Sequence, residues 1–462
     1  MIKSLFGDRA FYKKIIVLLI PIMVQNGITN FVGMLDNIMI GAVGTNQITG
    51  VAVANQLIFV FNLCIFGAIS GAGIFSAQFY GNSNHEGVRN TFRFKLIFCT
   101  ALCIGAMALF CFGGEGLIDL YLKGEGRRES IAEIMKYARQ YLNIMLVGLI
   151  PFTLTQCYSS TLRETGKTLP PMLAGLVAVV VNIILNYCLI FGKFGFPRLG
   201  ASGAAVATVV SRFVELFALA VWTHRRRDIN EFIVGAYRSM RVPLYLVMQI
   251  ILKGTPLMLN ETLWALGIAT LNQCYSTRGI AVVAANNISQ TFFNVFSVAI
   301  MSTGVAIGIV LGQQLGAGET DEAMSTAKKL ITFSVLLSVA IAVVFVVLAE
   351  FIPYLYNIES DVRFLATRLM QITALALPLE AFVNASYFTL RSGGKSLITF
   401  LFDSCFVWCV SVVVANILIY STGLHILAVY GIIQALNLIK CIIGFVFVKS
   451  RKWIKNIVVT GT

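Results

Sequence analysis

Charge is scarce in this chain. Of its 462 residues 12% are Asp, Glu, Lys or Arg, about half the roughly 25% of a soluble domain, so water is not its main solvent. Histidine is scarcer, at three residues. His85, His224 and His425 sit at predicted helix ends, far from one another, so they supply neither a metal-binding set nor a His–acid catalytic pair. The ten cysteines lie in or beside apolar runs, with Cys99 and Cys103, and Cys405 and Cys409, at helical i, i+4 spacing. No paired spacing in an exported loop suggests a disulfide framework. No cofactor, resident metal site or enzymatic activity is expected. The net charge of +14 is spread over loop ends and forms no stripe, which argues against a nucleic-acid partner.

What the chain has is apolar length. Hydrophobic residues make up 58%, and runs of near 20 residues or longer begin near 15, 47, 94, 140, 169, 203, 246, 280, 328, 364, 397 and 424. About 12 membrane-spanning helices follow. Runs such as VLLSVAIAVVFVVLAEF do not alternate apolar with polar residues, so they are helices and not barrel strands. The run after Lys13 and Lys14 continues to about residue 41 without a cleavage site and reads as helix 1, not a signal peptide. Lys and Arg favour the amino terminus, the loops after even-numbered helices and the tail, which predicts that both termini are cytoplasmic. The basic run His224–Arg225–Arg226–Arg227 anchors a cytoplasmic linker near anionic lipid headgroups. Gly113 to Lys136 mixes acids and bases and reads as an amphipathic outward segment.

The two halves repeat. Pro21, Gln78 and Gly81 recur as Pro256, Gln313 and Gly316 at an offset of 235, and Leu162, Arg163, Gly166, Lys167, Gly203 and Arg212 recur as Leu390, Arg391, Gly394, Lys395, Gly431 and Lys440 at an offset of 228. Six helices per half is an even number, so the copies enter the membrane in the same sense, as parallel repeats of a secondary transporter do. The expected fold is an all-α polytopic membrane protein: a six-helix lobe over 1–224, a basic linker over 225–245, and a second lobe with a short tail over 246–462. Pro21, Pro151, Pro256 and Pro378 fall within spans and each removes a backbone donor. Pro21 and Pro256, in corresponding places, are the candidate hinges.

Charges inside spans cost about 2.5–3.5 kcal/mol on insertion scales, so each needs a reason. Asp36, far along helix 1, is the first candidate for a cation site. Glu261, five residues beyond Pro256, and Glu380, two beyond Pro378, both fall near mid-membrane, and if they share one dry cavity they resist double ionisation and hold a proton or a cation. Glu215 follows Arg212 at i, i+3 and reads as a self-neutralising structural pair. Asp403 is a candidate partner for Lys440. The acids do not repeat: Asp36, Glu261 and Glu380 correspond to Leu271, Asn26 and Phe152, so the scaffold does not dictate them. Asn182 and Asn186, one turn apart in VVNIILNYCLIFG, face one side and offer either a donor to Asp36 or carbonyl oxygens to a hard cation such as Na+.

The acid in MLDNIMIG, the Gln and Gly pairs closing helices 2 and 8, the turns LRETGKT and LRSGGKS, and NIILNYCLIFGKFGFPRLGASGAAVAT together resemble the multidrug and toxic compound extrusion (MATE) family, over nearly the whole chain. The resemblance implies a 12-helix, two-lobed, V-shaped antiporter that expels amphipathic, often cationic organic compounds for inward H+ or Na+. It implies that Asp36, Asn182, Asn186 and Thr208 form an amino-lobe ion site, with Glu261 and Glu380 as carboxyl-lobe acids. Many relatives have Asp where this chain has Asn186, and Asp is commoner where it has Glu380, which leaves the coupling ion open between Na+, at Asp36 or at Glu261 and Glu380, and H+.

The expected function is export of drugs or toxic metabolites by alternating access. Gln25, Asp36, Asn260, Glu261, Glu380 and Asn384 are expected to line the substrate cavity. The expected partners are a small organic substrate and the bilayer, for a monomer in a prokaryotic inner (plasma) membrane. A flippase for a lipid-linked or anionic substrate and an exporter of one defined metabolite are the alternatives.

Overall fold

The computed structural model describes residues 5–122, 128–356 and 358–458. Among them are 12 long helices: α1 (Arg9–Gly41), α2 (Thr45–Gly81), α3 (His85–Leu122), α4 (Arg128–Glu164), α5 (Leu169–Phe191), α6 (Ala201–Arg225), α7 (Leu244–Ser276), α8 (Ile280–Gly316), α9 (Thr320–Leu348), α10 (Ser360–Ser392), α11 (Ser396–Ser421) and α12 (Ile426–Lys449). Eleven are long and apolar enough to cross a membrane by length and composition. The twelfth, α7, has the length, but Lys253, Asn260 and Glu261 interrupt its apolar surface. A 37-residue helix such as α2 rises about 55 Å, well beyond a hydrocarbon core of about 30 Å, so its ends enter the headgroup layers or it tilts.

The helix ends show why the sequence stops where it does. LRETGKT and LRSGGKS close α4 and α10 in the same way: Gly166 and Gly394 take φ of 79° and 72°, and the next amides, Lys167 N–H and Lys395 N–H, donate back to Leu162 O (2.8 Å) and Leu390 O (3.3 Å). A left-handed glycine after the last turn is what this cap requires. Within α11, residues Leu401–Cys405 and Val407–Val412 are wound as π-turns, and α12 is interrupted at Leu436. The segment Gly113 to Lys136 forms no separate surface helix at either end: it continues α3 to Leu122 and begins α4 at Arg128, and residues 123–127, with Lys123, Glu125 and Arg127, lie outside the described residues.

The chain packs as two compact units. The amino unit comprises Val24–Ser76 and His85–Met248, and the carboxyl unit the described residues of Met1–Met23, Ala77–Asn84 and Gln249–Thr462. These bounds differ from 1–224 and 246–462, because the start of α1 and the end of α2 pack with the later helices. Glycine makes that packing close. A Cβ on Gly81 would overlap Gln313 O, and one on Gly316 would overlap Gln78 O, so the ends of α2 and α8 touch backbone to backbone. The tail joins them: Gln78 Oε1 accepts from Ile457 N–H (2.8 Å), Gln78 Nε2 donates to Ser392 O (2.9 Å), and Trp453 is fully buried.

The basic linker belongs to the amino unit. Arg93 donates to Ala236 O and Gly235 O, both at 2.8 Å, and Lys167 donates to Ile229 O. Arg225, Arg226 and Arg227 are left exposed.

Candidate ion and substrate sites

In the amino unit, α1, α5 and α6 bring together all four residues expected to form an ion site. Asn186 Nδ2 donates to Asp36 Oδ1 (2.5 Å) and to Asn182 Oδ1 (3.0 Å), and Asn182 Nδ2 donates to Thr208 Oγ1 (3.4 Å). The asparagines are one turn apart on α5, which is why both face the same two helices. Asn182 and Asn186 are buried and Asp36 is half-buried. Tyr141 of α4 is in electrostatic range of Asp36 and of Arg212. Asn186 Oδ1 is buried without a hydrogen-bond partner, which is costly unless something else fills that role. A carboxylate beside an unsatisfied amide oxygen suits a proton or a hard monovalent cation.

Gln25 lies on α1 about three turns before Asp36, and its Oε1 is also buried and unpartnered. Pro21 and Pro256 sit inside α1 and α7, which run on as helix through both. The division between the two units falls between Met23 and Val24, two residues past Pro21.

In the carboxyl unit, Glu261 and Glu380 are not a direct carboxylate pair. Each is in electrostatic range of Asp403, and different partners hold them. Tyr387 O–H donates to Glu261 Oε1 (3.4 Å), and Asn437 Nδ2 donates to Glu380 Oε2 (3.2 Å). Asp403 stands between them with an ion pair to Lys440 (2.7 Å) and a hydrogen bond from Asn260 Nδ2 (3.1 Å). The first π-turn of α11 contains Asp403 and Ser404, as such turns often do at functional sites, and Ser404 fastens it by donating from its backbone and hydroxyl to Asn260 Oδ1. Asn260 is 1% exposed and is engaged by Asp403, Tyr387 and Ser404, so it braces Asp403. Asn384 donates to Met301 Sδ (3.4 Å) and leaves its Oδ1 buried and unpartnered.

Arg212 and Glu215 do more than neutralise each other. Arg212 donates to Gly148 O (3.1 Å) and lies over the Phe152 ring (4.9 Å), while Glu215 is in electrostatic range of both Arg212 and Arg163. Sequence reasoning missed a second buried pair, Lys95 on α3 with Glu164 on α4, at 2.5 Å and supported by Ser160 and Thr161. Its one signal was Glu164 in LRETGKT, where the second copy has Ser392. Among the described residues, no three of His, Cys, Asp and Glu gather as a metal-ion group.

The MatE family profile matches the chain twice, over residues 21–188 and 256–417. The chain belongs to the MatE family. MATE proteins are efflux transporters, and this one is a multi-pass plasma-membrane protein. It is 25% identical over 457 residues to the probable multidrug resistance protein NorM of Thermotoga maritima, covering 97% of this chain and 94% of that one. It is 25% identical to the probable multidrug resistance protein YoeA of Bacillus subtilis, covering 97% and 96%. Its fold is similar to the outward-facing conformation of a multidrug resistance MATE family transporter, with a TM-score of 0.86 at 20% identity over 97% of each chain.

Proposed function

We propose that this MATE protein is a secondary antiporter that exports amphipathic, mostly cationic organic compounds in exchange for inward Na+ or H+, by alternating access. The observation that carries the reading is Asp36: a half-buried carboxylate in a spanning helix, held by Asn186 and flanked by that residue's unsatisfied oxygen. An inward cation neutralises Asp36, and a positively charged drug then loses its counter-charge and leaves. Helix α1 bends near Pro21 as the occupant changes. The carboxyl-unit acids hold the cation or the substrate in turn. The multidrug resistance names of the bacterial relatives support drugs as cargo.

The test is transport by the purified chain in proteoliposomes, with ethidium as the fluorescent cation and either a Na+ or a pH gradient imposed. One of the two gradients is expected to drive ethidium against its own gradient. Equal, gradient-independent ethidium movement under both would overturn antiport.

A further inference from the structure

Five charged side chains gather within the carboxyl unit: Glu261 on α7, Glu380 and Arg391 on α10, Asp403 on α11 and Lys440 on α12. Lys440 is 6% exposed and Arg391 8%. Lys440 Nζ is 2.7 Å from Asp403 Oδ1 and in electrostatic range of Glu380, and Arg391 is in range of Glu261. The remaining titratable neighbours, Tyr387, Tyr430 and Cys441, are of types that are neutral at physiological pH. Among the described residues, three carboxylates therefore face two fixed cations, and one negative charge is left without a fixed cation.

We propose that Lys440 is a tethered counter-cation shared between Asp403 and Glu380, which leaves this group room for one exchangeable monovalent cation, H+ or Na+, and no more. The geometry allows the sharing. Asn437, which donates to Glu380, is one helical turn before Lys440 in the same segment of α12, so the two carboxylates lie within the sweep of one flexible four-carbon side chain. The rings of Phe402 and Phe406, each 5.8 Å from the ammonium, line that sweep and favour a cation over either face. Arg391 is separately committed: it serves Glu261 and Tyr387, and its buried Nη1 has an unused donor. The inference rests on the antiport reading for its purpose and on the charge count for its content.

The deciding variant is Asp403→Asn. If Lys440 is shared, its ammonium turns to Glu380, the five-membered group becomes neutral, and the exchangeable cation is lost. If the Asp403–Lys440 pair is only a brace, Glu261 and Glu380 keep their cation. Full-length protein in detergent is compared with wild type by two readouts on the same sample: the infrared C=O stretch of protonated carboxyl groups, which counts H+, and bound radiolabelled Na+. The summed cation equivalents are expected to fall by one per chain in Asp403→Asn and to return to the wild-type number in Asp403→Asn/Lys440→Gln. The same sum in Asp403→Asn as in wild type overturns the proposal. Asp403→Ser is the second variant, and failure of both single variants to fold also overturns it, because a shared Lys440 is satisfied by Glu380 without Asp403. Ethidium export by the wild type is scored separately, so antiport can fail while the charge count holds, and the reverse.

Discussion

Lys95 is fully buried with its ammonium on Glu164, Ser160 and Thr161, whereas Asp36 is half-buried with one amide donor. Among the described residues the first arrangement has a fixed cation and the second does not, and that difference is why we read Lys95 with Glu164 as a brace and propose Asp36 as the site. Removing one member of a buried pair strands the other at a cost of about 3–5 kcal/mol, while removing both is far milder. Lys95→Met is therefore expected to lower the thermal midpoint of the purified protein sharply, and Lys95→Met/Glu164→Gln to recover most of the loss. Equal midpoints for the single and double variants would contradict the pairing. The sequence made Asp36, Glu261 and Glu380 visible because an acid inside an apolar run stands out. It passed over Lys95, which stands at the edge of the apolar run that begins near 94, where a charge does not stand out. It left Asp403 and Lys440 as candidates, because whether two helices turn those side chains toward each other depends on rotational phase, which apolar runs do not encode.

The presence and order of the long helices were the most legible features, although α3 and α4 begin at His85 and Arg128, well ahead of the apolar runs near 94 and 140. A run of about 20 apolar residues can satisfy its backbone in lipid only as a helix, and LRETGKT and LRSGGKS announce the left-handed caps found at Gly166 and Gly394. The π-turns in α11 were not legible, since LFDSC and VWCVSV carry no residue that forbids ordinary α-winding. Nor was the reciprocal contact of α2 with α8, although Gly81 and Gly316 had been marked as a repeated pair. Their lack of a side chain is what that contact uses. A methyl group at either glycine meets backbone carbonyl, which cannot move aside as a side chain can. Gly81→Ala is expected to destabilise by about 1–3 kcal/mol, in the range of overpacked interiors, whereas Gly105→Ala, with nothing within 4 Å, should leave the melting midpoint unchanged or slightly raised. Indistinguishable melts of the two variants would contradict the close approach.

At the scale of the whole molecule, each unit carries a distinct electrostatic device: Asp36 with its asparagine chain in one, and three carboxylates against Arg391 and Lys440 in the other. The units are not simple halves of the chain, because α1 is divided between them after Met23 and the end of α2 packs with the later helices. That division was beyond reach of a sequence repeat, which orders segments but does not say which of them touch. The division falls two residues past Pro21, in the helix that also holds Asp36, and the proposed antiport assigns the coupling of ion occupancy to that helix. The most direct measurement is ethidium transport by Asp36→Asn in proteoliposomes, with and without the driving ion gradient. The account predicts that ethidium still moves down its own gradient while transport against it is lost, and uphill export at the wild-type rate in that variant would contradict it.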